Sequence, residues 1–162
     1  MASPATFDAA SNVLDDQAME KWGIGVGTQV ATAGYIWGYS GQKANYPVTK
    51  FGEISVITAE KWFANPQSGL SEQGYVIQLP NAPGLSGSPV FTHGVEFDTN
   101  PFRYRVLPPY VVGVVKALLL APSNLNTIPQ GLTVIEPASN LKDLMRQIAK
   151  MLTDRGAEID PL

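Results

Sequence analysis

The chain has 162 residues, of which 44% are hydrophobic and 15% charged, a composition that folds rather than staying disordered. Its formal net charge is −3, with no basic stripe to neutralise phosphates, so a nucleic-acid partner is excluded. With no cysteine and one histidine it has no disulfide, no thiol chemistry and no ordinary zinc ligand set, and no metal is expected.

Residues 1–22 are small and polar, with Asp8, Asp15 and Asp16, and read as an N-terminal tail with a short helix from Asn12 to Lys21. No basic region leads into an apolar run near Met1, so a cytoplasmic chain is expected if Met1 is the true start. From Gly23 the pattern changes. Val26 to Tyr35 alternates apolar and small polar residues between glycines, as a half-buried strand does. Phe51 to Ile57 and Tyr75 to Leu79 repeat that pattern, with Asn65-Pro66 and Ser68-Gly69 marking a loop between them. Ser88 to Thr92 is a short fourth strand, and Val95 to Pro109 reads as a loop because of Asp98, Asn100-Pro101 and Pro108-Pro109. Val111 to Leu120 is the most apolar strand. It is interrupted by Lys116 and too short to span a bilayer as a helix, so no membrane association is expected. Leu132 to Ile135 is the sixth strand.

After Pro137, apolar residues fall at 141, 144, 145, 148, 151 and 152, the spacing of an amphipathic helix. Ser139 or Asn140 can cap its start, and Gly156 stops it. The expected organisation is a tail over 1–22, a β-barrel over 23–136, a helix over 137–155 and a tail over 156–162. The fold class is mainly β: six strands in one closed antiparallel barrel, followed by a C-terminal helix.

Residues 83 to 91 read Pro-Gly-Leu-Ser-Gly-Ser-Pro-Val-Phe. Such a segment can be a plain turn between strands. It is not the Gly-x-Ser-x-Gly elbow of α/β-hydrolases, because position 88 is serine and a strand rather than a helix follows. A third possibility is a nucleophile loop. Acyl transfer needs a hydroxyl on a tight turn, with backbone N–H groups converging where the oxyanion forms.

Gly84, Ser86, Gly87, Ser88 and Pro89 fill each position of the Gly-x-Ser-Gly-[Gly/Ser]-Pro loop of trypsin-like (chymotrypsin-fold) serine peptidases. Other segments resemble the same family in the same order. VGTQVATAGYIWG is similar to the strand that ends in Gly-Tyr-Pro, although Ile36 follows Gly34-Tyr35 here, and VTKFGEISVI resembles the next strand. YVVGVVKALL resembles the strand lining the substrate groove, and GLTVIEPASNLKDLMRQI the closing strand and helix of bacterial HtrA-like enzymes. Together they cover roughly residues 23 to 152. The resemblance implies Ser86 as nucleophile and the N–H groups of Gly84 and Ser86 as an oxyanion hole. It implies that Lys116, Ala117 and Leu118 form the edge that pairs with an extended polypeptide substrate. Pro80 to Pro83 would wall the primary specificity pocket, with no charge there, for small or apolar side chains.

In that family the general-base histidine and its aspartate lie in a preceding barrel, and only 22 residues precede Gly23 here. His93, seven residues past Ser86 and across a strand, reads as a turn or surface histidine. The resemblance therefore implies a half-domain inactive by itself, whose partner is a polypeptide substrate or an N-terminal barrel supplied by another chain. Its inter-barrel face would be exposed and apolar, and open to self-association. The alternative is a non-catalytic barrel that binds an extended peptide, and a third reading is a stand-alone barrel whose loop is only a turn.

The remaining candidates are weaker. Gly23, Gly25 and Gly27 lack the spacing of a nucleotide loop and read as a turn entering a strand, so no cofactor is expected. Asp15, Asp16, Glu158 and Asp160 read as solvated tail charges, and Trp22, Trp37 and Trp62 as core or barrel-end packing.

Overall fold

In the computed structural model the residues described are 12–38, 41, 43–64, 69–80, 82–99, 102–121 and 128–156. Six strands close a barrel: β1 (Gln29–Gly34), β2 (Val48–Val56), β5 (Tyr75–Gln78), β6 (Pro89–Thr92), β9 (Val111–Ala121) and β10 (Ile128–Pro137). These are the six strands expected from alternation. Their order around the barrel is β1-β2-β5-β10-β9-β6, and every pairing is antiparallel. The fourth barrel strand, β6, lies beside the first, which is the Greek-key arrangement. Closure pairs each strand on both sides over part of its length and so shortens the edges that an open sheet would expose.

Period-two alternation sorts the side chains. Val30, Ile54, Ile77, Val90, Val112, Val115 and Ile135 point inward and are buried, with Leu79 and Leu85 beside them. Three of the buried threonines lie on barrel strands, and each disposes of its hydroxyl on a backbone carbonyl. Thr32 donates to Pro89 O (2.8 Å), Thr92 to Pro108 O (2.5 Å) and Thr133 to Leu79 O (2.9 Å). A buried hydroxyl without a partner would cost roughly 1–3 kcal/mol; among the described residues no buried side-chain polar atom lacks one.

Two hairpins lie outside the barrel and correct the sequence reading. β3 (Lys61–Ala64) pairs with β4 (Ser71–Gln73), and β7 (Val95–Thr99) with β8 (Phe102–Val106), where a loop was expected over 95–109. Asp98, a turn residue by type, sits within β7 opposite Arg103, and apolar and polar residues alternate along both strands. β10 is also longer than the 132–135 expected, because a register shift at Gly131 (φ 70°) lets the strand continue past an irregularity.

The start of the described chain is not a solvated tail. Val13 bridges Val111, and the Leu14 N–H donates to Val111 O (3.0 Å). Helix α1 (Asp16–Lys21) then buries Met19, Leu14 and Ile24 join the core, and Trp22 packs on Tyr110 with ring centroids 5.3 Å apart. Of the four acids expected to be solvated, Asp15 and Asp16 are both engaged. Asp15 caps α1 by accepting from the Ala18 N–H (2.9 Å) and pairs with Lys142 (2.9 Å), while Asp16 accepts from the Tyr75 hydroxyl (2.9 Å). Burial, then that bond to Asp16, pushes the Tyr75 phenol well above its ordinary range. Glu158 and Asp160 lie outside the described residues.

Helix α2 (Ala138–Asp154) follows β10 directly. Neither Ser139 nor Asn140 caps it. Pro137 takes the cap position with no side-chain bond, and Asn140, already inside the first turn, donates to Glu136 Oε1 (2.6 Å). Gly156, at φ 83°, follows the last turn as a helix-stopping glycine. No described helix is long and apolar enough to cross a membrane.

The Asp15 clasp ties the N-terminal segment to α2 and has a pH signature. The bond from Lys142, then that from the Ala18 N–H, hold the Asp15 carboxyl below the usual carboxylate range. A depressed folded value contributes stability above the unfolded value of about 4, and the contribution is lost as pH falls through and below it. Between pH 6 and pH 3 the urea midpoint of Asp15→Asn should therefore fall less than that of the parent. Equal falls would contradict the clasp.

Candidate active site

The serine loop is two consecutive tight turns. Leu85 N–H donates to Ala82 O (3.2 Å), and Ser88 N–H to Leu85 O (2.9 Å). Each turn has a glycine at its third position with positive φ, 101° at Gly84 and 84° at Gly87, and no other residue type adopts that backbone without strain. The alternation this produces decides what is presented. Leu85 is fully buried in the core, Ser86 is exposed between the turns, and Ser88 is buried again.

Two bonds fasten the loop to β9. Gly87 N–H donates to Val115 O (2.7 Å), and Val115 N–H donates to Ser88 O (2.9 Å). On the other side the end of β1 fits closely: a Cβ on Gly34 would overlap Ser88 Oγ. A Cβ on Gly84 would come within 2.7 Å of both Tyr35 O and Trp37 N, and the Trp37 N–H donates to Pro83 O (2.9 Å). With Leu85, Gly87 and Ser88 N–H groups all committed, those of Gly84 and Ser86 donate to no described residue.

β9 supplies the second feature. β6 pairs with it only over Val111 to Val114. From Lys116 onward its other side stays paired with β10, with Ala117 opposite Val134 and Leu118 opposite Thr133, while on the β6 side no strand among the described residues pairs with it. An open strand edge thus begins one residue after the carbonyl that holds Gly87. The Lys116 side chain is engaged elsewhere, by Glu72 on β4 (2.5 Å) and Glu136 on β10 (2.6 Å). Burial would lower its basicity, but the hydrogen bonds to Glu136 and Glu72 outweigh that and hold it above the usual lysine value.

Other expected residues fall elsewhere. Pro80 lines a groove with Gln29, Phe51, Glu53, Gln78 and His93, to which the 84–88 loop contributes no residue. The Lys50 ammonium donates to Pro80 O (2.7 Å). His93 is an exposed residue whose ring sits 4.9 Å from that of Phe51. It belongs with Gln29 at one end of the β1–β6 pair, whereas Gly34 and Ser88 mark the other, so the imidazole does not meet Ser86. Trp22 packs on the core and the Trp62 indole donates to Gly74 O (2.9 Å), but Trp37 is 85% exposed and departs from the packing role expected. Tyr35 and Tyr46 are exposed too, and Tyr35 shares the Gly84 contact. The described residues contain no group of three or more His, Asp or Glu able to hold a metal ion.

No protein-family model, curated protein or solved structure matches the chain. Chemical interpretation therefore rests on the geometry. Gly84→Ala should cost more than Gly87→Ala, because only the former adds a clash with backbone to the strain of positive φ. About 1–2 kcal/mol is expected for Gly87→Ala and at least about 1 kcal/mol more for Gly84→Ala, read from urea unfolding. Equal losses would show that the loop is not seated against Tyr35 and Trp37.

Proposed function

We propose that this chain is the nucleophile-bearing barrel of a trypsin-like serine peptidase domain, with Ser86 as the attacking residue and polypeptide as substrate. What carries the reading is the loop itself: an exposed serine between two buried positions, with the uncommitted N–H groups of Gly84 and Ser86 beside it. Ser86 Oγ would bond to the scissile carbonyl carbon while its proton passes to a base. The carbonyl electrons would move onto the oxygen, held by the two N–H groups. Collapse would expel the amine, which takes the proton, and leave an acyl-serine for water to cleave. The edge at Lys116, Ala117 and Leu118 would align the substrate as an added strand.

That step needs an imidazole, and His93 is at the wrong end of β6. The base and its orienting carboxylate would therefore come from a separate barrel, and without it the chain would be inactive. Exposed Tyr35 and Trp37 beside the loop, with Tyr46, offer an apolar surface for that barrel or for self-association. The open β9 edge also favours a second reading, a non-catalytic module that holds an extended peptide.

The two readings separate experimentally. Co-expression with the coding segment immediately upstream, where it carries a histidine-bearing barrel, should allow a fluorophosphonate probe to label Ser86, and Ser86→Ala should abolish labelling. No labelling under any pairing would sink the peptidase reading. Peptide binding that survives Ser86→Ala in that case would support the binding module.

A further inference from the structure

Away from Ser86, the outer face of the barrel carries a groove of about 790 Å³ that crosses β1, β2, β5 and β10. Strand register builds its floor. Gln29 is paired with Glu53, Glu53 with Gln78, and Gln78 with Leu132, so one rung spans all four strands. Gln29, Glu53 and Gln78 face outward while Val30, Ile54 and Ile77 beside them are buried. Neighbouring strands lie about 4.8 Å apart, so two carboxamides flank one carboxylate within about 10 Å. Phe51 is two residues before Glu53 on the same face, about 7 Å along the strand. Its cross-strand partner is the small Ala31, the residue is 59% exposed, and its ring meets that of His93 at a tilt, with centroids 4.9 Å apart. His93 closes one end, and Pro80, Gly131 and Leu132 the other.

Glu53 is the only carboxylate among the lining residues, and the nearby Lys50 ammonium is engaged on Pro80 O (2.7 Å) at the end away from His93. Glu53 makes no ion pair with a described residue. We propose that the groove binds the guanidinium of an arginine side chain presented by an extended peptide. The planar fork donates a bidentate pair to Glu53 and stacks on the Phe51 face, and its remaining N–H groups reach the carboxamide oxygens of Gln29 and Gln78. A lysine ammonium is a point charge and cannot meet a row of acceptors and a ring face together. The length of the groove across four strands accommodates peptide on either side of the arginine. This site is separate from the Ser86 loop and holds whether or not Ser86 is a nucleophile.

The test is a titration of the ¹⁵N-labelled full chain with the peptide Ac-Gly-Arg-Gly-NH₂, followed by amide chemical shifts. Saturable shifts are expected at Glu53, Gln78 and His93 and at the side-chain amides of Gln29 and Gln78. Glu53→Gln should weaken binding at least tenfold and Phe51→Ala several-fold, with the rest of each spectrum unchanged as proof of folding. Ac-Gly-Lys-Gly-NH₂ and free arginine should both bind more weakly. Absence of shifts in the groove, or an affinity unaltered by Glu53→Gln, overturns the site. Equal binding of the lysine peptide overturns the guanidinium assignment, and equal binding of free arginine overturns the peptide.

Discussion

Two backbone hydrogen bonds between the serine loop and β9 set the architecture of this molecule's most distinctive face. Because Gly87 donates to Val115 O and Val115 donates to Ser88 O, the loop is locked to the barrel wall immediately after Ser86. Beyond that point, from Lys116 onward, no strand among the described residues pairs with β9 on the β6 side. An exposed hydroxyl and an unpaired strand edge are thereby brought together by one constraint.

The loop holds its shape because each neighbour of Ser86 is fixed for a separate reason. Leu85 is an anchor in the core, and Ser88 is covered by the end of β1, where only glycine fits. Gly84 lies against the backbone of Tyr35 and Trp37. Farther away, the Asp15–Lys142 clasp and the Tyr75–Asp16 bond hold the N-terminal segment on the barrel, where Leu14 and Met19 complete the core. Glu72, Lys116 and Glu136 tie the β3–β4 hairpin and β10 to the far side of β9. The open edge therefore belongs to a strand braced from behind.

What could be seen in the sequence follows from how local each feature is. The six barrel strands were legible because alternation and bounding glycines are properties of short windows. The Ser86 loop was legible because positive φ at Gly84 and Gly87 demands glycine at those positions. The β7–β8 hairpin was obscured by its turn residues, although alternation over 95–99 and 102–106 carried the signal. Features made by distant pairs left no such trace. Asp15 and Lys142 are 127 positions apart, and the rung from Gln29 to Leu132 exists only once four strands have found their register. The groove that Pro80 lines on the barrel exterior is likewise built by residues from four strands and left no local trace.

Amide hydrogen exchange across residues 84 to 88, followed by NMR, addresses the loop most directly. Leu85, Gly87 and Ser88 donate to Ala82, Val115 and Leu85 and should exchange slowly, whereas Gly84 and Ser86 should exchange at rates near those of an unstructured chain. Slow exchange at both Gly84 and Ser86 would mean that their N–H groups are already spent inside the fold. Ser86 would then have no waiting donors beside its hydroxyl.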